Sequence, residues 1–218
     1  MTTFAEDIAL LLVDPGTGKP VVDGTAFDRV VGGALLLDLA VAERLAVTGS
    51  GAKARIAATG GPTGDPLLDT ALDRLGSRDR RAAAAVEKLS SKLRAATFAR
   101  LVDAGILIAE KGRALAVIPT TTWRFTDPRP RQRLQSGIAA VLTGKADPDE
   151  RQAGLISLLY AVQAEHKIVD GPRKALRARA REVANGEWAG SAVTQAVQAV
   201  QATIMTAVVA SAGAAGGT

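Results

Sequence analysis

The sequence predicts a mainly α protein: one globular helical domain, residues 1–212, with β-hairpins at its periphery and a disordered tail at 213–218. Three observations predict it. Long stretches place apolar residues at helical spacing. Short apolar runs pair around turn clusters at only a few places. Apolar residues make up 47% of the 218, enough for a real core, with no internal repeat of fixed period.

Taken in order, residues 4–13 run apolar with weak alternation and fit helix or strand. Asp14-Pro15-Gly16-Thr17-Gly18-Lys19-Pro20 is a turn cluster. Its Gly-Thr-Gly-Lys is not a phosphate loop. Val13 stands where that motif needs its first glycine, and Pro20 where it needs Ser or Thr. Residues 26–42 form a helix apolar on more than one face, hence largely buried, and Gly32 and Gly33 within it mark the close approach of another element. Residues 44–58, around Gly49-Ser50-Gly51, read as a hairpin. Asp65 caps the next helix and Pro66 suits its first position, where a missing N–H leaves no bond unmade. Residues 81–103 form a long helix with Val86, Leu89, Leu93, Ala96 and Leu101 inward, closed by Gly105. A second hairpin follows, with strands at 106–108 and 115–118 and its turn at 110–113. Residues 121–131 read as a loop. Helices close the chain at about 131–142, 148–164, 172–185 and 191–211.

Composition removes much chemistry. There is no cysteine and one histidine, His166, so thiol nucleophiles, disulfides, iron–sulfur clusters and multi-histidine metal sites are excluded. His166 sits between Glu165 and Lys167 at a helix end, a surface or capping position. No carboxylate pair lies beside a nucleophile. An enzyme is not expected, nor a metal or cofactor. Seven scattered aromatics make a poor stacking platform for nucleic acid. The N-terminus carries acids where a secretory signal would carry Lys or Arg. The uncharged stretch 188–218 reads as a soluble helix, because Gln195, Gln198 and Gln201 recur along it. A cytoplasmic protein is expected.

The net charge of +5 is unevenly spread. Residues 1–79 hold 7 basic and 11 acidic side chains, whereas residues 80–133 hold 12 and 4. Such a field favours an anionic partner. Two readings of 86–118 follow. A helix, Ala104-Gly105-Ile106-Leu107 and a hairpin is the pattern of a winged-helix DNA reader, with the 111–113 turn on phosphates. Alternatively, Arg94, Lys88, Lys92 and Arg100 hold an anionic headgroup while Leu115, Val117 and Ile118 dip into the membrane interface, the two signals that reversible binding needs. The bland alternative makes 115–118 a core strand. A further strip, Arg173, Arg177 and Arg181 with Lys174, shares one helix face and receives no role.

The order of motifs resembles the Golgi phosphoprotein 3 family. The matching stretches are 6–13 with its turn, Gly33-Ala34-Leu35-Leu36-Leu37-Asp38-Leu39-Ala40, Glu43-Arg44-Leu45, and Pro62-Thr63-Gly64-Asp65 with Leu67-Leu68-Asp69. Leu101-Val102-Asp103-Ala104-Gly105-Ile106-Leu107, Glu110-Lys111, Arg131-Gln132-Arg133-Leu134 and 155–161 continue the order. The Ala-, Gly- and Arg-rich composition suggests a bacterial, actinobacterial member. The resemblance implies a helical domain with peripheral hairpins and a non-enzymatic peripheral membrane adaptor. It implies recognition of phosphatidylinositol 4-phosphate, protein clients, and a hairpin used in membrane contact and self-association. In the family the headgroup pocket uses a tryptophan, an arginine before the buried early helix, and two arginines one turn apart. Here Arg94 matches the second of that pair and Ser91 stands at the first. The early arginine falls on Gly32, and the tryptophan near Asp23. One of four is kept, so the 4-phosphate grip is weakened. The resemblance places Arg94 and Ser91 at the headgroup, and the local charge adds Lys88, Lys92 and Arg100 as a looser anionic site.

Overall fold

The computed structural model describes residues 2–114, 118–186 and 191–215. In chain order they form α1 (Phe4–Leu12), α2 (Gly24–Val41), β1 (Leu45–Thr48), a 3-10 turn (Gly51–Lys53), β2 (Arg55–Ala58), α3 (Pro66–Leu75), β3 (Arg80–Arg81), α4 (Ala82–Asp103), β4 (Leu107–Ala114), β5 (Ile118–Phe125), α5 (Arg129–Leu142), α6 (Glu150–Ala161), α7 (Glu165–Ile168), α8 (Arg173–Asn185) and α9 (Ser191–Ala215). The fold is mainly α with small antiparallel sheets, as the sequence predicts.

Residues 4–12, which fit either regular structure, are helical for a local reason. The Thr3 side chain accepts from Glu6 N, and the Glu6 carboxylate accepts from Thr3 N, so a capping box starts α1. Asp38 of α2 completes the job from outside: its carboxylate accepts from Phe4 N at 2.6 Å and Ala5 N at 3.1 Å. All nine residues of α1 are buried.

The second central helix, α2, packs chiefly on α4, α9 and α1. Its two inner glycines make that possible. A Cβ on Gly32 would lie 2.8 Å from Val86 O and 3.1 Å from Ser90 N of α4. A Cβ on Gly33 would lie 2.5 Å from Val200 Cγ1 of α9. The close approach expected at these residues is therefore present on both sides of the helix.

Asp65 caps α3 through Leu67 N and Leu68 N, with Pro66 at the first position. The first hairpin gains an unforeseen third strand, β3, in the order β1-β2-β3. Arg80 and Arg81 supply it on the way into α4, pairing with Ile56 and Arg55.

The second hairpin differs most from expectation. Its first strand runs through 110–113, where the sequence pattern reads as a turn, and β5 covers 118–125, most of which reads as loop. The register runs from Leu107↔Phe125 to Ala114↔Ile118. The missed signal is alternation: Thr121, Trp123 and Phe125 fall on one side of β5 at period two. Leu115 and Val117 lie outside the described residues, and so does the side chain of Ile118. At the C-terminus α9 continues to Ala215, past the expected end near 211 and into the expected tail; residues 216–218 lie outside the described residues. Among the described residues, no helix is long and apolar enough to cross a membrane.

Candidate functional site

The α2–α4 contact carries Arg94 to the mouth of a cleft of about 360 Å3, lined by Asp28, Arg94, Ala95, Phe98, Thr121 and Trp123. Three aromatics build its floor. Phe27 of α2 stacks on Phe98 of α4 at 5.7 Å, and Phe98 stacks on Trp123 of β5 at 4.0 Å with rings 8° apart. The Arg94 guanidinium lies 4.5 Å from the Phe27 ring centre, within cation–π range. Its Nη1 donates to Asp28 Oδ1 at 3.2 Å. Side chains of both partners remain about a quarter exposed, at 28% and 26%.

Trp123 is held by its backbone. Its N–H donates to Gly18 O at 2.8 Å, which ties β5 to the turn after α1. Gly18 has φ +66°, and a Cβ there would sit 2.9 Å from Trp123 N and O, so the approach requires glycine. Sequence reasoning missed Trp123, Thr121 and Asp28. The first two follow from the alternation in β5. Asp28 is a contact across 66 residues with no local signature.

The expected headgroup residues do not converge. On a helix, Lys88 and Lys92 lie about 120° and 160° around the axis from Arg94. Both are exposed and face outward beyond the rim of the cleft. Arg100 lies on the opposite flank of α4 and is committed: its Nε pairs with Glu6 at 3.0 Å and its Nη1 with Asp65 at 2.5 Å. The hydrogen bond to Asp65 and the charge of Glu6 hold its pKa above the ordinary value, in spite of partial burial. Arg100 is a clamp between α1, α3 and α4, not a headgroup ligand. The Ser91 side chain lies outside the described residues.

Gly32, the place of the family's early arginine, has no room for a side chain, as the Val86 carbonyl shows. Asp23, near the place of the tryptophan in the resemblance, caps α2 through Ala26 N. The cleft instead has Trp123, brought by a different element. The turn that the winged-helix reading sets on phosphates is not at 111–113, which are strand.

Other motif residues prove structural. Arg131 is buried and its Nε reaches Val13 O at 3.3 Å, tying α5 to the end of α1. Asp7 is buried and paired with Arg151. Among the described residues, no group of three or more His, Asp or Glu side chains is placed to hold a metal. No curated protein was found to match the chain. The family model described as Golgi phosphoprotein 3 matches residues 4–200, a span that starts with α1 and ends within α9. It takes in the cleft around Arg94 and every contact that builds it, so the chain belongs to the Golgi phosphoprotein 3 family.

Proposed function

We propose that the protein is a non-enzymatic peripheral membrane adaptor that engages anionic phospholipid headgroups at the Arg94 cleft with little selectivity among them. The observation that carries the reading is a partly exposed guanidinium stacked over an aromatic ring at a cleft of about 360 Å3 open to solvent. One arginine, shared with Asp28, gives a weak grip. A bound phosphate competes with Asp28 for the guanidinium, whose remaining N–H groups donate to the phosphate oxygens in the plane of the fork.

The excess charge of residues 80–133 supplies the rest. Lys88 and Lys92 add to the field without touching the ligand, so attraction is long-range and falls with salt. Leu115, Val117 and Ile118 supply the apolar second contact. Recognition of a 4-phosphate in particular has little support, because only Arg94 of the four family positions remains.

Vesicle flotation at low salt tests this. Arg94→Gln removes one surface charge and is expected to weaken partition into phosphatidylglycerol vesicles about fivefold, at about 1 kcal/mol per charge. Arg94→Glu changes two charges and is expected to weaken it roughly thirtyfold on the same scale. Leu115→Ser with Val117→Ser, which removes apolar side chains without adding charge, is expected to reduce partition while leaving salt dependence unchanged. Absence of flotation with any anionic lipid at low salt would overturn the reading.

A further inference from the structure

We infer that the outer face of α7 and α8 is a second contact surface for an anionic phospholipid bilayer, made by Lys167, Arg173, Lys174 and Arg181. The inference rests on the membrane reading above and adds a surface to it. Residues 165–185 hold six basic and three acidic side chains. Two of the three acids are already paired: Glu165 with Arg177 at 3.1 Å, and Glu182 with Arg179 at 3.2 Å. The third, Asp170, is exposed between the two helices.

Arg173, Arg177, Arg181 and Lys174 fall within about 100° of arc around α8. Arg177 is partly withdrawn, stacked over Tyr160 at 4.5 Å and bonded to Glu165. The other three are exposed. Like charges one turn apart repel, and cations in a first helical turn oppose the helix dipole. The chain nonetheless places Arg173 and Lys174 at the start of α8. Their field reaches the neighbouring helix. Burial first, and then the charges of Arg173, Lys167 and Arg177, hold His166 of α7 below the ordinary imidazole range.

The surface and the Arg94 cleft are both tied to the segment between α1 and α2. Lys167 Nζ donates to Val21 O at 2.5 Å, and Trp123 N donates to Gly18 O at 2.8 Å. Both therefore seat on one short turn, with the cleft on one side and the α7–α8 corner on the other. A cationic strip from Arg173 to Arg181 spans about 12 Å along the helix. It has no concave centre, which suits an extended anionic sheet better than a single small anion.

The test uses the full chain, phosphatidylcholine vesicles with and without phosphatidylglycerol, and low salt. Arg173→Gln with Lys174→Gln and Arg181→Gln is expected to weaken partition roughly a hundredfold. A control that removes three cations elsewhere, Lys53→Gln with Arg55→Gln and Arg78→Gln, is expected to stay near wild type. All six residues are exposed, and circular dichroism confirms that each variant is folded. If wild type floats and the α8 variant floats equally well, the second surface is wrong and the Arg94 reading stands. If the control falls as far as the α8 variant, net charge alone acts and the surface is again wrong. If wild type does not float at all, both readings fall. If the α8 variant keeps vesicle binding but loses binding to an acidic peptide or to DNA, the surface serves another partner and the inference is overturned.

Discussion

Gly32→Arg is expected to leave the protein unfolded or aggregated. The reason is the α2–α4 contact. A Cβ at Gly32 meets Val86 O at 2.8 Å and Ser90 N at 3.1 Å, and both are backbone atoms of a buried helix. The Ser90 hydroxyl, 3.0 Å away, is itself bonded to Val86 O at 2.7 Å. No rotamer change clears that space; the helices must separate. Gly32→Ala alone is expected to cost about 1–3 kcal/mol from overpacking, less the roughly 1 kcal/mol by which alanine favours a helix over glycine. An arginine adds a long side chain and a charge among buried residues. An unpaired buried charge costs several kcal/mol, against a total stability of about 5–15 kcal/mol for a domain. Urea denaturation followed by circular dichroism measures it. A soluble Gly32→Arg variant with a wild-type midpoint would mean that α2 and α4 are not in contact at this point. Position 32 therefore cannot carry a guanidinium while α2 and α4 keep this contact.

Much of the fold is legible in the sequence because its signals are local. Asp65 with Pro66 marks a helix start, the Gly32-Gly33 pair marks a helix crossing, and the apolar spacing of residues 81–103 marks α4. What is not legible depends on partners far away in sequence. Arg100 reads as a free cation until Glu6, 94 residues earlier, closes on it. Arg94 reads as part of a lysine-rich patch until Asp28 pairs with it. One expectation conflicts with helix geometry itself. Residues two apart on a helix point to different sides, so Lys92 and Arg94 could not share a pocket wall. The strand through Trp123 is hidden by Pro128, Pro130 and the arginines after it, which mark a loop that starts later than residue 121.

Wild-type stability is expected to fall as pH rises from 5 to 7, by up to about 2 kcal/mol, and Asp38→Asn is expected to flatten that slope. Asp38 is 7% exposed and holds the start of α1 through Phe4 N and Ala5 N. Burial pushes its pKa from 3.8 to about 7, against the two backbone N–H groups and Arg151, which pull it down, and with Glu6, which adds to the rise. The folded value is thus the higher one. Between the two values the folded chain binds a proton that the unfolded chain does not. Stability from the protonated form is fully present below pH 3.8 and is lost as pH rises through about 7, at about 1.4 kcal/mol per unit at most. Burial also raises the pKa of Asp7 and Glu165, so these groups act in the same direction and leave a residual slope in the variant. The carboxamide that Asp38→Asn introduces accepts from one of the two N–H groups and leaves the other short of a partner, at about 1–3 kcal/mol. The variant is therefore expected to be the less stable protein at pH 5, with a gap that narrows by pH 8. Urea midpoints of both proteins across that range decide the matter. Parallel curves would show that Asp38 keeps its charge in the folded state, and that the start of α1 is held by an ionised carboxylate throughout.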